Sequence, residues 1–297
     1  MHCSGKEIEL NDVLVTVIIP AYNREKTVTR CLKSAMAQTH ENLEILVIDD
    51  GSSDSTVNLV RGLARSDERV KLIMLEYNRG AQHARNKGIQ NARGAWIAFL
   101  DSDDYFLCDS VEKRLACAME ENVVVVHSEC LVIRNNDELK RFNIKPLSGY
   151  VYSQLLEGPS PMFQGLLVEK QALQKIGMLD ESILSYQEWD TSIRLAREFP
   201  FGFVAEPTFV YDCTGNDTIS NNMQRDAQGY RQVFNKFRTE IVNNNGHHSL
   251  AAHYAFISSR YKRANAPAQA LKYKVLSRYH SIYARMKLIM TLQGFNS

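Results

Sequence analysis

The first 133 residues alternate between two hydrophobic periodicities, and this alternation restricts the fold more than any other feature. Continuous apolar runs rich in β-branched residues predict five strands, and apolar residues at helical spacing fill the gaps between them. Strands that read as unbroken apolar runs are buried on both faces, as in parallel sheets covered by helices. The pattern therefore predicts a doubly wound α/β core. The predicted strands are Val13–Ile19, Leu43–Ile48, Val70–Leu75, Ala95–Leu100 and Val123–Ile133.

Residues 134–165 interrupt this alternation. They are polar and contain three prolines, which predicts a long irregular segment. The pattern then returns, with helices predicted over 169–176 and 187–199 and a last strand near 203–211. The α/β region is therefore expected to extend to about residue 220.

The formal net charge of +1 conceals two oppositely charged regions. Residues 222–297 hold twelve Lys and Arg against two acidic residues, so this region carries +10 and the preceding part −9. Helical spacing with breaks at 243–246 and 265–267 predicts a basic helical region over 221–297. Two interpretations stay open: an appendage that packs on the α/β core, or a face that contacts an anionic membrane. The positive charge of this region would suit a nucleic acid, but no recognised nucleic-acid-binding motif accompanies it. We therefore predict no nucleic-acid partner.

We expect no signal for export or membrane insertion in this sequence. Residues 1–9 include two acidic residues and lack the basic start and apolar run of a signal peptide, and no apolar run approaches the length of a membrane span. The six cysteines show no metal-ligand spacing, which favours free thiols in a reducing compartment. We therefore expect a cytoplasmic protein, free or held at the inner face of the membrane.

Polar clusters follow the first four predicted strands, and the carboxyl ends of parallel strands form the ligand-binding edge of such a sheet. Taken alone, such a cluster is more typical of a turn or a helix cap than of a ligand site. Four on one edge, with carboxylates at two ends and arginines at a third, predict a polyanionic ligand and a divalent cation. Oxygen ligands favour Mg²⁺ or Mn²⁺. The clusters are Pro20–Asn23, Asp49–Asp54, Asn78–Asn86 and Asp101–Asp104.

These clusters lie in segments that resemble the family 2 glycosyltransferases of GT-A fold. The resemblance covers about residues 13–220 and involves six motifs in the expected order. It implies a Rossmann-like, mostly parallel sheet with helices on both faces, and a C-terminal helical appendage. The implied catalytic domain is 1–220, with a donor half of about 13–104 and an acceptor half of about 105–220. The motifs are Val15–Asn23, Ile45–Asp54, Asn78–Gly88, Leu100–Asp104, Gly177–Glu181 and Gln187–Leu195.

The resemblance implies a nucleotide-activated sugar as donor, most often linked to uridine diphosphate. Asp103, the last residue of the D-x-D element, would bind Mn²⁺ or Mg²⁺ and so stabilise the departing diphosphate. The segment after the last strand lacks the usual histidine, so the metal would rest on Asp103, the diphosphate and water. The implied donor residues are Pro20, Ala21 and Tyr22 at the base, Asp50 at the uracil, Arg79 and Arg85 at the base or diphosphate, and Asp101 with Ser102 towards the ribose.

The family presents Glu-Asp before an aromatic residue and a further Asp, whereas this chain has Gln187, Glu188, Trp189 and Asp190. Alignment on the last two implies Glu188 as the general base of an inverting displacement. The alternative is a glutamate favoured only by the helix dipole. Trp189 is expected beside the donor or acceptor, and Asp190 is expected to contact the acceptor or support the structure, with Arg194 as its ion-pair partner.

The implied activity is the metal-dependent, inverting transfer of one hexosyl or N-acetylhexosaminyl group from a UDP-sugar to an acceptor hydroxyl. A lipid-linked or polysaccharide acceptor in surface-polysaccharide assembly is expected. The chain lacks the Gln-x-x-Arg-Trp element of the processive synthases. Two alternatives stay open. A nucleotidyltransferase of related fold would usually carry a Gly-rich basic loop, which 20–24 is not. A non-catalytic sugar-nucleotide-binding protein would use its tail for interactions.

Overall fold

The computed structural model describes residues 10–134, 138–214 and 222–292, the last three of these by their backbone alone. The described residues form two compact units. The first draws on the ranges 1–150, 161–181 and 194–215, and the second on 151–160, 182–193 and 216–297.

The first unit contains one sheet whose initial four strands pair in parallel, as predicted. Most of their side chains are apolar, and three of the four strands are buried along their whole length. The register aligns the carboxyl ends, since Ala21 pairs with Asp49 and Asp49 pairs with Met74. The loops that follow these strands therefore meet along one edge. The strands are β1 Val15–Ala21, β2 Leu43–Asp49, β3 Val70–Met74 and β4 Trp96–Phe99.

The other part of the sheet is mixed. Its strands are β5 Tyr105–Phe106, β6 Val125–Ile133, β7 Leu139–Phe142, β8 Leu167–Glu169 and β9 Phe201–Asp212. The spatial order among the described residues is β3-β2-β1-β4-β8-β6-β9-β5, with β7 paired to β6. β8 lies between β4 and β6 and is antiparallel to both, whereas β6 and β9 run parallel. The pattern did not predict β5, β7 and β8, because strands of two to four residues are too short to show a periodicity.

Helices cover the sheet on the faces that the sequence predicted. The first helix buries Val28, Cys31, Leu32 and Ala35 at helical spacing and so packs one apolar stripe on the sheet. The helices of the first unit are α1 Val28–Met36, α2 Thr56–Ala64, α3 Ala81–Asn91, α4 Ser110–Glu120 and α6 Lys170–Lys175. Those of the second unit are α5 Tyr152–Leu155, α8 Met223–Lys236, α9 Arg238–Arg263 and α10 Pro267–Leu292. α7 Gln187–Glu198 contributes its first seven residues to the second unit and the remainder to the first.

A buried cation on α4 fixes the segment that leads into β8. Arg114 is fully buried, and its guanidinium donates to the carbonyl oxygens of Gln164 at 3.0 Å and Leu166 at 2.9 Å. Burial lowers the pKa of Arg114 to about 9. The carbonyl groups compensate for the lost hydration of the cation. This anchoring positions the side chain of Gln164, which lies in the predicted irregular segment.

The second unit is built around the indole of Trp189. The ring is fully buried, stacks on His253 with centroids 5.8 Å apart, and lies 4.9 Å from the ring of Tyr230. Its Nε1 donates to the carbonyl oxygen of Leu155 at 2.6 Å. A residue of a sequence motif therefore forms the centre of this unit.

The predicted breaks in the basic region are confirmed. Gly246 has φ of 72° and interrupts the helical backbone within α9. α9 ends at Arg263, Asn265 has φ of 53°, and Pro267 begins α10, where a missing N–H removes no helical hydrogen bond. Across the described residues, none of the helices combines the length and apolar character that a bilayer span requires.

Candidate active site

The loops that follow β1 and β2 are joined by hydrogen bonds. The backbone N–H of Asn23 donates to Ser52 Oγ at 2.9 Å, and that of Ser53 donates to Asn23 Oδ1 at 2.9 Å. The N–H of Asp50 donates to the carbonyl oxygen of Ala21 at 2.8 Å. Pairing through side chains of both loops therefore fixes the end of the sheet where the predicted donor residues lie.

Two adjacent aspartates lie at the end of β2, and both are buried. The carboxylate of Asp50 accepts the backbone N–H of Arg79 at 2.9 Å and that of Gly80 at 2.7 Å, which holds the turn into α3. Asp49 Oδ2 accepts the N–H of Ser52 at 3.0 Å, whereas its Oδ1 is buried without a hydrogen-bond partner among the described residues. An enclosed acceptor without a donor is uncommon in proteins. In the sequence, Asp49 had no role of its own beyond membership of the cluster Asp49–Asp54.

The predicted base-pocket residues lie at the end of β1. Pro20 and Ala21 are buried within the strand, and Tyr22 follows with its side chain exposed. Arg79 is exposed on the neighbouring loop. Burial raises the pKa of Glu181, but hydrogen bonds with Asn86 and His83, followed by the charges of His83 and Arg79, bring it below its ordinary value. The structure therefore places this predicted set on the edge formed by the strand ends.

Beyond β4, an amide links two of the acidic residues. Asp101 pairs with the guanidinium of Arg85, and its Oδ2 accepts from Gln164 Nε2 at 2.9 Å. The same nitrogen donates to Asp104 Oδ2, and Asp104 Oδ1 accepts the N–H of Asp212 at 2.8 Å. Four chain segments therefore meet at these carboxylates. Ser102, between them in sequence, is buried.

The close carboxylates favour protonation of one another. Burial and the neighbouring charges of Asp103 and Asp101 raise the pKa of Asp104 well above its ordinary range. Burial and Asp101 also raise the pKa of Asp103, although Arg24 opposes this shift. A divalent cation would relieve this repulsion.

Three arginines surround the acidic cluster of Asp101, Asp103, Asp104 and Asp212. Arg24 Nη2 lies 3.7 Å from Asp103 Oδ2. Arg30 pairs with Asp212 Oδ2 at 2.7 Å and donates to the backbone carbonyl of Asp103 at 2.7 Å. The third is Arg85, whose guanidinium lies 4.4 Å from the ring centroid of Phe163. The cluster therefore combines anionic and cationic groups, as a metal–diphosphate ligand requires.

Sequence reasoning missed several of these groups. Gln164 and Asp212 lie 60 and 108 residues from Asp104, so no local spacing could link them to the D-x-D element. Arg24 directly follows the first polar cluster, which was an available signal, and Arg30 lies on α1 one to two turns later. The fold alone brings these four residues to the site.

α3, which includes most of the motif Asn78–Gly88, makes hydrogen bonds to the motif Gly177–Glu181. His83 Nδ1 lies 3.0 Å from Glu181 Oε2. Asn86 Nδ2 donates to Glu181 Oε1 and to the carbonyl oxygen of Leu179, both at 2.9 Å, and Asn86 Oδ1 accepts the N–H of Leu179 at 3.0 Å. The helix after β3 thus holds the Gly177–Glu181 segment in place within the first unit.

The predicted base lies in the second unit. Glu188 is half-buried in the first turn of α7. Asp190 is buried and forms an ion pair with Lys236 at 2.6 Å. In the first unit, Arg194 Nη1 donates to the carbonyl oxygens of Ile176 at 2.8 Å and Met178 at 2.6 Å. The ion pair expected between Asp190 and Arg194 stays a prediction, and the enclosed position of Trp189 favours a supporting role for that ring.

The residues present fit a hard divalent cation. Asp103 is partly exposed, lies beside other carboxylates and offers oxygen ligands, which suit Mg²⁺ or Mn²⁺. Among the described residues, no group of three or more His, Cys, Asp or Glu is arranged to hold a metal by itself. A bound ion would therefore need ligands from the donor and from water.

A family model described as glycosyl transferase family 2 matches residues 16–175. The chain is 39% identical over 133 residues to the Escherichia coli protein WfgD, a UDP-Glc:alpha-D-GlcNAc-diphosphoundecaprenol beta-1,3-glucosyltransferase. That match spans 45% of this chain and only 52% of WfgD. The chain is also 39% identical over 230 residues to Bacillus subtilis TuaG, provisionally named a teichuronic acid biosynthesis glycosyltransferase. This second match spans 74% of the chain and 88% of TuaG.

Solved structures share the fold at low sequence identity. Residues 1–349 of S. aureus TarS, in complex with UDP-GlcNAc, superpose with a TM-score of 0.67 at 20% identity, covering 93% of this chain and 80% of TarS 1–349. The Pyrobaculum calidifontis mannosyltransferase PcManGT, in complex with GDP-Man and Mn²⁺, superposes with a TM-score of 0.63 at 18% identity, covering 92% and 86%. These likenesses confirm the predicted GT-A fold with its C-terminal helices.

Proposed function

Because the chain belongs to glycosyl transferase family 2, we propose that it transfers one sugar from a UDP-sugar to an acceptor hydroxyl with inversion at the anomeric carbon. The observation that carries this proposal is the shared edge of β1, β2 and β4, where carboxylates and arginines from separate segments converge. Such an edge is where open α/β sheets bind nucleotides.

The donor base occupies the end of β1 and β2. Pro20, Ala21 and Tyr22 line it, and Asp50 accepts the imide N–H of uracil. Asp50 keeps the loop of Arg79 in position while its carboxylate oxygens retain further acceptor capacity.

The ribose and diphosphate extend towards the acidic cluster. Asp101 and Ser102 lie on the ribose side, and Arg79 and Arg85 provide positive charge for the base or diphosphate. Asp103 would hold Mn²⁺ or Mg²⁺, which would supply Lewis-acid stabilisation of the leaving diphosphate. The neighbouring charge of Asp101 supports this assignment, because adjacent carboxylates favour a cation beside them.

Glu188 acts as the general base. As the acceptor oxygen forms its bond to the anomeric carbon, the bond from that carbon to the diphosphate oxygen breaks, and UDP leaves with the electron pair. The hydroxyl proton passes to the carboxylate of Glu188. Trp189 and Asp190 support the start of α7, and Arg194 holds its later part.

The acceptor is a sugar on a lipid or polysaccharide, and the transferred group is a hexose or N-acetylhexosamine. The similarity to WfgD, a glucosyltransferase named for a diphosphoundecaprenol-linked acceptor sugar, supports this class. We further propose a cytoplasmic protein, with residues 1–220 as the catalytic domain, in contact with the anionic inner face of a membrane through 222–297. The charge of +10 in that region supports the contact.

Variants at the two central carboxylates test this proposal. Glu188→Gln should retain binding of the UDP-sugar and lose transfer by about 100-fold or more, since general-base catalysis contributes that much. Asp103→Ala should lose the Mn²⁺ dependence of donor binding. Glu198→Gln, at the exposed end of the same helix, serves as the matched control and should transfer normally.

The products distinguish the reaction class. Release of one UDP for each sugar transferred supports glycosyl transfer, whereas release of pyrophosphate from a nucleoside triphosphate would identify a nucleotidyltransferase. Full transferase activity in both Glu188→Gln and Asp103→Ala would overturn the mechanism. Binding of UDP-sugars without any turnover would identify a non-catalytic sugar-nucleotide-binding protein.

A further inference from the structure

One face of α10 exposes a continuous apolar stripe. Six side chains recur at intervals of three or four residues, so they share one side of the helix. Each is 52–63% exposed. The stripe spans about 27 Å along the helix axis at ~1.5 Å per residue. Its members are Leu271, Val275, Tyr279, Ile282, Met286 and Ile289.

The opposite face of α10 is fixed against α9. The ring of Tyr273 stacks on that of Tyr261 with centroids 5.7 Å apart, and Ser277 Oγ donates to the carbonyl oxygen of Ala251 at 2.8 Å. His280 stacks on Tyr254 at 5.4 Å. Contacts along the helix therefore hold the apolar stripe on the side away from α9, within the second unit.

Basic residues accompany the stripe. The helix α10 contains five Lys and Arg residues and no Asp or Glu. At 100° per residue, Lys274, Arg278 and Arg285 lie along one border of the stripe, and all three are exposed. An apolar stripe bordered by cations is typical of helices that lie in a membrane interface. The remaining cations are Lys272 and Lys287.

Charge distinguishes between two occupants of this face. A second copy of the chain would bring its own α10 cations against those of the first, and α10 offers no carboxylate to pair with them. Helices that pair along an apolar seam normally carry opposite charges beside it. An anionic lipid surface supplies the missing negative charge and the apolar layer together.

We propose that α10 lies flat on an anionic bilayer, with the stripe inserted among the acyl chains and its basic border against the lipid headgroups. This inference rests on the membrane contact proposed above and assigns that contact to one helix face. It requires no transmembrane span, in keeping with the cationic composition of α10.

A tryptophan reporter tests the inserted face. The native Trp96 and Trp189 are both buried, so brominated lipids should quench neither. In the full-length chain, Ile282→Trp should be quenched by brominated acyl chains in vesicles of phosphatidylglycerol and phosphatidylcholine. Tyr150→Trp, at a more exposed site of the first unit, is the control and should not be quenched.

Variants of the apolar stripe test how much its side chains contribute to membrane binding. Replacing Val275, Ile282 and Ile289 together by Gln should weaken binding to anionic vesicles by about 100-fold, because each loses apolar burial. Circular dichroism and transfer to a soluble acceptor should match the unmodified chain, which shows that the variant folds. Binding of either chain should also fall with added salt, and neutral vesicles should bind weakly.

The outcomes separate this inference from the broader proposal. Vesicle binding with no quenching at Ile282→Trp, or with full affinity in the triple variant, would overturn the role of α10 and leave the membrane contact of 222–297 intact. Failure to bind anionic vesicles would overturn both. A dimer in sedimentation that the triple variant disperses would identify a second copy as the occupant and overturn the inference. Transferase activity on a soluble acceptor does not depend on vesicle binding, on tryptophan quenching or on the sedimentation result, so it tests the proposed reaction separately.

Discussion

Lys236 Nζ lies 2.6 Å from Asp190 Oδ1, and this ion pair joins the basic C-terminal region to the family motif on α7. Asp190 is buried, whereas the side chain of Lys236 is 34% exposed. Both residues belong to the second unit, in which Trp189 is also enclosed. The C-terminal helices therefore help to build the start of the helix that carries Glu188.

Removing the lysine charge should destabilise the protein. Lys236→Met removes the ammonium group that pairs with the buried Asp190. We expect a loss of about 2 kcal/mol in the free energy of unfolding, because partial exposure of Lys236 reduces the effect below that of a fully buried pair. Urea denaturation measures this value. The double variant, with both Lys236→Met and Asp190→Asn, should have a free energy of unfolding at least ~1 kcal/mol higher than Lys236→Met alone. Strictly additive losses in the double variant would contradict the coupling.

The amide of Gln164 should be needed for the acidic cluster. Gln164→Leu removes the N–H group that contacts Asp101 and Asp104, so the repulsion between these carboxylates should increase. We expect about 1–3 kcal/mol of destabilisation from the unsatisfied acceptors and about tenfold weaker binding of a UDP-sugar with Mn²⁺. Calorimetric titration measures the affinity. Gln154→Leu, at an exposed position, should change neither quantity.

Close packing at the start of β4 should make Gly94 intolerant of a side chain. A Cβ there would lie 2.7 Å from the backbone nitrogen of Thr16 and 2.8 Å from the carbonyl oxygen of Leu14. Gly94→Ala should therefore cost about 2–3 kcal/mol in the free energy of unfolding.

The control for this prediction lies on α2. Gly62 is exposed, and a Cβ at that position would meet no atom within 4 Å. Gly62→Ala should stabilise the protein by about 0.5–1 kcal/mol through helix propensity. Chemical denaturation of both variants compares the two effects, and equal stability of both would refute the packing argument.

The stability of the fold should fall in mild acid through His127. Burial lowers its pKa to about 4, although a hydrogen bond to the carbonyl oxygen of Leu147 opposes the shift. Between this value and the ordinary 6.5, the unfolded chain binds a proton that the folded chain does not. The contribution is therefore fully present above about pH 6.5, and it is lost as the pH falls towards 4.

From pH 7 to pH 5, His127 alone should reduce the free energy of unfolding by about 2 kcal/mol. The measurement is urea denaturation at both pH values. His127→Gln should show a smaller difference, although His253 will contribute a slope of the same sign because burial also lowers its pKa. An unchanged difference in the variant would exclude His127 as the source.

Local pattern was sufficient to predict the parallel half of the sheet. β1, β2 and β4 are mostly apolar and buried throughout, and strands of this kind are typical of a parallel sheet between layers of helices. The same adjacency of strand and polar turn indicated where Asp50, Asp101 and Asp103 would lie. Periodicity could not predict β8, because three residues carry no period and its place depends on pairing with β4 and β6.

By itself, the sequence determined the family, the positions of the four parallel strands and the edge on which the polar residues gather, since these depend on contiguous residues. Only the tertiary structure decided that Gln164, Arg30 and Asp212 join the acidic cluster, because side chains far apart in sequence meet through packing. It also decided which face of α10 stays exposed. That helix is apolar on more than one side, and contact with α9 buries only one of them.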